Sequence, residues 1–325
     1  MITKITIIGG GAWGISLAQT LSDNKYEILI YDNNKEYIDQ INNRKHSLFD
    51  IVLSENIKAT NDLKKALFFS DFIFLCIPTQ HMRELFNKIN KILNISKNFI
   101  NLSKGIEYIS NKVISQIIKE EIDADKIKNY ACLYGPSHAE EVILRKITFL
   151  TAASSNFEFA CQLSKMISNS KYLKVTPSND VLGCEICVAF KNALSLISGL
   201  LDGDDFASNA RAAFITLGAS EMKKILSLFS SFTNDTILSF VGVGDLIVTA
   251  FNKNSRNYQA GQKIKQGMII DEIYNQAKQI IEGVYNLKVF YHLSVKNKLK
   301  LPIIESAYKV IFEKKPINYV LRVIL

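Results

Sequence analysis

The stretch Ile5 to Leu21, ITIIGGGAWGISLAQTL, restricts the fold of this chain more than any other. Ile5, Ile7 and Ile8 belong to a short β-branched apolar run, the composition of a strand buried on both faces of a parallel sheet. Gly9, Gly11 and Gly14 then form G-x-G-x-x-G, after which Ile15, Leu17, Ala18 and Leu21 recur at helical spacing. In the order strand, turn, helix, each glycine has a physical task. Gly9 permits a tight turn, Gly11 lets a pyrophosphate approach the backbone, and Gly14 lets helix and strand pack closely. The first helical N–H groups then face an anion. Turns of this spacing also occur as plain connectors, so the context carries the inference. A second apolar strand, Ile28 to Tyr31, ends at Asp32, about 20 residues beyond the glycines, where a carboxylate can accept hydrogen bonds from adenosine ribose hydroxyls. Together these features predict a dinucleotide site.

Downstream, the pattern alternates. A helix over Asn34 to Asn43 leads to a polar loop with Arg44, Lys45 and His46. Strands are expected at Asp71 to Ile77, Asn98 to Leu102, Tyr130 to Leu133 and Thr148 to Ala152, with helices such as Met82 to Leu93 and Lys112 to Glu121 between them. From Val181 onward the signals are helical: Val181 to Leu201, Ser208 to Leu228, Gly283 to Asn297 and Ile303 to Phe312. The expected fold is α/β: a Rossmann-like, doubly wound, mostly parallel sheet over residues 1–180, followed by an all-helical domain over 181–325. The dinucleotide goes to the first and the substrate to the second, with the cleft between them as the default active site.

A chain of 325 residues, 48% of them hydrophobic, is long enough for two such domains. Its net charge of +8 is spread without a long basic run, so a basic surface suited to a phosphorylated small substrate is expected rather than a nucleic-acid interface. Val181 to Leu201 is the most apolar long segment, but Glu185 and Lys191 interrupt it, which favours a buried helix over a membrane span. Met1 to Ile8 lacks the features of a signal peptide, and five cysteines form no disulfide framework, so a reducing, cytoplasmic setting is expected. Cys184 and Cys187 make a C-x-x-C inside a helical pattern and read as structural thiols.

Several polar residues could carry chemistry. On the helix from Val181, Lys191 shares a stripe with the small residues Cys184, Cys187, Ser195 and Ser198, which leaves room beside it. A buried lysine with space for a ligand can act as general acid or base; the competing reading is a packed stem with a solvated ammonium. Lys104 and Ser103 follow one strand and Gly135 and Ser137 another, at the ends where such sheets bind ligands. Asp245 follows the turn Gly242-Val243-Gly244 and could hold a lysine or a substrate hydroxyl, or only cap a helix. Ser255, Arg256 and Asn257 offer a hydroxyl, a guanidinium fork and an amide in series, a phosphate clamp or a serine-capped helix start. The four histidines, His46, His81, His138 and His292, are scattered, with neither a catalytic triad context nor metal-ligand spacing, so no metal is expected.

These clusters together resemble the prokaryotic-type NAD(P)-dependent glycerol-3-phosphate dehydrogenases over nearly the full chain. The likeness runs through GGGAWGISLA, NLSKGIE, YGPSHAEEV, GCEICVAFKNAL, NARAAFITLGASEM, GVGDLIVTAFNKNSRN and QIIEG. It implies Lys191 as the catalytic proton donor and acceptor, and Lys104, Gly135, Ser137, Asp245, Ser255, Arg256 and Asn257 around glycerol phosphate. It also implies dinucleotide contacts from Lys104, Trp13, Ala139, Arg256, Ile280 and Glu282, NAD(H) or NADP(H) as cofactor, a homodimer, and a role in phospholipid-precursor supply. Departures from the family pattern stand at Cys187, Val188 and Leu217. Two other readings remain: another two-domain dehydrogenase such as a ketopantoate reductase, which would lack the Ser255–Asn257 clamp, and a non-catalytic dinucleotide sensor, against which Lys104, Lys191 and Asp245 argue. Asp32, followed by Asn33 where many relatives carry arginine, favours NADH over NADPH unless Arg44 or Lys45 folds over to supply the cation.

Overall fold

Eight strands form one sheet in the order β3-β2-β1-β4-β5-β6-β7-β8 in the computed structural model, which describes residues 3–203, 206–229, 234–276 and 281–324. The strands are β1 Lys4–Ile8, β2 Glu27–Tyr31, β3 Ile57–Thr60, β4 Phe72–Leu75, β5 Lys97–Asn101, β6 Ile127–Tyr134, β7 Thr148–Ala153 and β8 Leu173–Ser178. All neighbours are parallel except β6 and β7, which run antiparallel through pairs such as Leu133 with Ala152. The central strand β4, Phe-Ile-Phe-Leu, is continuously apolar because both of its faces are covered. Phe72 and Phe74 enter one core cluster with Ile7 and Ile30, while Ile73 and Leu75 enter another with Phe86 and Ile117. The outermost strands, β3 and β8, are absent from the sequence reading. Each is at an edge, with only part of its residues buried, and β8 carries Pro177, so neither shows the apolar run of a central strand.

The chain separates into two units, one of Met1–Ser103 with Ile114–Val181 and the other of Lys104–Val113 with Leu182–Leu325. The sequence reading divides it at 180/181, with no excursion of the segment after β5. Beyond Val181, every regular element among the described residues is helical. The helix Val181–Leu201 is long and apolar enough to cross a membrane, but every residue from Gly183 to Leu201 is buried. In the second unit it meets the helix Arg256–Lys265 at glycines. A Cβ on Gly199 would stand 1.9 Å from the Tyr258 carbonyl oxygen, and one on Gly261 2.0 Å from that of Leu196. Only residues without side chains allow so close a crossing. Phe190 packs edge-on against Phe290 of the helix Glu282–Asn297, with ring centroids 4.8 Å apart.

Cys184 and Cys187, read as structural thiols, are buried and unbonded to each other. Cys187 and Val188 lie fully inside, whereas Leu217 is 39% exposed on the helix Ser208–Leu226.

Candidate active site

In the first unit the glycine turn has the shape its residues suggest. Gly9 holds φ +108°, its N–H donates to the Tyr31 carbonyl at 2.8 Å, and a Cβ there would meet the Cys76 carbonyl oxygen at 2.6 Å. A Cβ on Gly14 would stand 2.0 Å from the Gly9 oxygen, so any side chain would push the helix Ala12–Asp23 off β1. Gly11 is the N-cap of that helix, has no atom within 4 Å of the Cβ direction, and supplies no capping side chain. The result is an open cradle with helical N–H groups at its floor, which fits a pyrophosphate.

Asp32 borders this cradle. Its Oδ2 accepts the Gly10 N–H at 2.6 Å and its Oδ1 the Asn34 N–H at 2.8 Å, while Asn33 is exposed. Arg44 is tied elsewhere, its Nε donating to the Leu53 carbonyl at 2.8 Å; Lys45 is exposed. Trp13 packs half-buried on the core, and the Ala139 carbonyl accepts the Ser16 hydroxyl at 2.9 Å. At the end of β6, Gly135 holds φ +153°, and a Cβ there would lie 2.6 Å from the Phe149 carbonyl oxygen. The Ser137 hydroxyl donates back to the Gly135 carbonyl at 3.0 Å.

In the second unit, Lys104, Lys191 and Asp245 come together. The Lys191 ammonium, on a side chain 5% exposed, donates to Asp245 Oδ1 and to Thr249 Oγ1, both at 2.8 Å. Lys104 Nζ reaches the other carboxylate oxygen, Oδ2, at 3.0 Å. The Thr249 hydroxyl in turn donates a hydrogen bond to Asp245 Oδ1 at 3.2 Å. Two of the three ammonium hydrogens of Lys191 are thereby used. Of the two readings of Lys191, the solvated ammonium is thus excluded.

Burial pulls the Lys191 pKa down to about 7, with the Lys104 charge adding to the fall and Asp245 opposing it. Burial alone would raise the Asp245 carboxyl, but the Lys104 and Lys191 ammonium groups outweigh it and hold Asp245 below the usual carboxylate value. Asp245 itself is the first residue of the helix Asp245–Ala250, directly after the π-helical turn Phe240–Gly244. It does not cap that helix, whose N-cap is Gly244.

Ser255 has two tasks. It caps the helix Arg256–Lys265, and its hydroxyl also bonds the Ser195 hydroxyl at 3.0 Å. Ser195 is thus the member of the predicted stripe that connects to the site; Ser198 is buried with no hydrogen-bond partner for its hydroxyl. Arg256 is exposed at the first turn of its helix. Asn257 Oδ1 accepts the Gly283 N–H at 2.9 Å, which brings the clamp beside Glu282 at the start of the helix Glu282–Asn297. Ile280 lies outside the described residues.

Thr249 and Asn192 escaped the sequence reading. Asn192 donates to the Lys104 carbonyl at 3.3 Å and so fixes the loop that carries Lys104. A usable signal existed, because Thr249 is four residues after Asp245 and Asn192 adjoins Lys191. Among the described residues, no group of three or more His, Cys, Asp and Glu side chains could hold a metal.

A Rossmann-type cradle, with a buried lysine–carboxylate–lysine cluster in an all-helical unit, defines the class of two-domain nicotinamide-dependent dehydrogenases. Within that class the chain belongs to the NAD-dependent glycerol-3-phosphate dehydrogenase family, whose N-terminal profile matches residues 4–160 and whose C-terminal profile matches residues 180–322. It is 53% identical to the NAD(P)+ glycerol-3-phosphate dehydrogenase of Phytoplasma mali (strain AT), over 99% of this chain and 97% of the relative. The corresponding enzyme of Acholeplasma laidlawii (strain PG-8A) is 44% identical over 97% of this chain and 95% of its own. A solved glycerol-3-phosphate dehydrogenase from Coxiella burnetii superposes with a TM-score of 0.88 at 26% identity, covering 99% of this chain and 98% of that one.

Proposed function

We propose that this chain interconverts dihydroxyacetone phosphate and sn-glycerol 3-phosphate with NAD(H) or NADP(H), with Lys191 as the proton donor and acceptor. The observation that carries this reading is the buried Lys191 ammonium between Asp245 and Thr249, with a pKa near neutrality. A bound nicotinamide would supply or take up the hydride exchanged with C2. In ketone reduction, the free hydrogen of the Lys191 ammonium protonates the oxygen on which alkoxide charge develops. In the reverse direction, neutral Lys191 removes the alcohol proton. Asp245 stabilises the ammonium form and fixes its direction, while Thr249 holds the second hydrogen away from the reacting oxygen.

The substrate phosphate goes to Arg256 with Ser255 and Asn257, and Lys104, Gly135 and Ser137 complete the substrate set. The dinucleotide is held by Gly9, Gly11 and Gly14 at its pyrophosphate and by Asp32 and Asn33 at its ribose. Trp13, Lys104, Ala139, Arg256, Ile280 and Glu282 supply its further contacts. Residues 1–180 thus supply most of the dinucleotide contacts and 181–325 most of the substrate contacts. A cytoplasmic homodimer supplying glycerol 3-phosphate to phospholipid synthesis completes the proposal.

Purified protein is expected to oxidise reduced nicotinamide with dihydroxyacetone phosphate and hardly at all with unphosphorylated dihydroxyacetone. The lost phosphate removes charge-assisted contacts whose binding energy orients the ketone, so KM and kcat both suffer. Equal rates on the two ketones, followed at the reduced-nicotinamide absorbance band, would sink the reading.

Cofactor choice follows from Asp32, which supports a preference for NADH. Its two backbone N–H partners fix the carboxylate at the end of β2, where it repels a 2′-phosphate and accepts from a free 2′-hydroxyl. The Arg44 bond to Leu53 weakens the case for that residue as a phosphate partner. Wild type should show the higher kcat/KM with NADH, and Asp32→Ala and Asn33→Arg should each improve NADPH use relative to NADH. A wild type that prefers NADPH, or no gain in either variant, would refute the assignment.

A further inference from the structure

His46, one of the four scattered histidines, is 4% exposed and hydrogen-bonded to the glycine turn. Its Nε2 lies 2.9 Å from the Gly10 carbonyl oxygen, and its Nδ1 lies 3.2 Å from the Leu48 amide nitrogen. A backbone N–H can only donate, so Nδ1 is the bare, accepting nitrogen and Nε2 carries the proton given to Gly10. The ring is wedged in place by Tyr37, with centroids 4.8 Å apart, and by Phe49 at 6.1 Å. Burial lowers its pKa, against the opposing pull of the Gly10 bond and the Asp32 charge, so the neutral tautomer is the form present at neutral pH.

The consequence lies in the peptide that His46 holds. Gly10 is gripped at both ends, its N–H by Asp32 Oδ2 at 2.6 Å and its carbonyl by His46. A trans peptide is planar, with C=O and N–H pointing in opposite directions. Fixing the Gly10 carbonyl toward His46 therefore aims the Gly11 N–H away from it. Gly11 is the residue with open space around its Cβ direction at the start of the helix Ala12–Asp23. A glycine pair has more backbone freedom than any other dipeptide, so without the imidazole this peptide can rotate and lose that direction.

We infer that His46 is a positioning residue for dinucleotide binding: its Nε2–H locks the Gly10–Gly11 peptide so that the Gly11 N–H is preorganised for the pyrophosphate. The inference rests on the reading of the glycine turn as a dinucleotide cradle. Trp13, the single tryptophan of the chain, stands in the first turn of the helix Ala12–Asp23 directly after the glycine turn, so its emission is the probe chosen to follow NADH binding without substrate or turnover.

The test compares His46→Met with His46→Gln, side chains of similar length of which only glutamine can donate to Gly10, and adds His46→Phe to keep a ring. His46→Met and His46→Phe should raise the NADH Kd roughly five- to tenfold, the scale of one lost hydrogen bond, whereas His46→Gln should remain within about twofold of wild type. Melting temperatures measured alongside separate this from a packing role, which would affect glutamine and methionine alike. Equal Kd values for the methionine and glutamine variants, or weaker binding by glutamine, would overturn the proposal. A wild type whose Trp13 emission does not respond to NADH would instead overturn the cradle reading beneath it.

Discussion

Lys191→Ala is expected to lower kcat by roughly two to four orders of magnitude, the usual scale for losing a positioned general acid, while NADH binding persists. The fold should survive, because Asp245 retains Lys104 at 3.0 Å as a counterion and the truncated side chain leaves no unpaired charge. The pH dependence of the wild type gives an independent check. A lysine pulled down to about 7 is protonated below that pH and neutral above it. Ketone reduction needs the ammonium, so its kcat/KM should fall as pH rises through about 7. Alcohol oxidation needs the amine, so its kcat/KM should rise over the same interval. Both limbs should vanish in Lys191→Ala. Retained turnover in the variant, or limbs that persist in it, would make Lys191 structural.

Asp245→Asn should act on stability and chemistry together. The carboxylate is 1% exposed and is the shared counterion of two ammonium groups. Breaking a buried pair from one side costs about 3–5 kcal/mol, and the lower end is expected here. Lys104, at 23% side-chain exposure, can turn to solvent, and Lys191 can shed its proton. That second escape is the chemical effect: without Asp245 the Lys191 pKa falls further, and the reductive limb of the pH profile moves to lower pH. Urea unfolding and the reductive pH profile measure the two parts. An unchanged profile would remove Asp245 from the proton-transfer unit, whatever the loss in stability.

The parts of the site that were legible in the sequence are those with local signals. The glycine turn is a short local run, in which Gly9 and Gly14 need a missing side chain in three dimensions and Gly11 leaves open space. Asp32 follows β2 directly, so the strand that predicts it also positions it. Lys191 stood out because a charge in the middle of an apolar helix is costly unless paired, and the pairing was found. Strands with both faces covered read clearly, whereas the half-covered edge strands β3 and β8 did not.

The amino-acid sequence by itself determined the class of fold, the helical character of the second half, and which residues are chemically equipped to act. Periodicity, turn chemistry and isolated charges are properties of neighbouring residues. Only the tertiary structure decided what those residues touch. Asp245 could have capped its own helix but lies instead between lysines 54 and 141 positions away. Ser255 caps its helix and also bonds Ser195, 60 positions away. His46, without a sequence context that marks it, donates to a glycine 36 positions before it. Chain folding brings such partners together through the packing of whole elements. No local pattern encodes that packing, and it sets the protonation of Lys191 by burial and by the charges gathered around it.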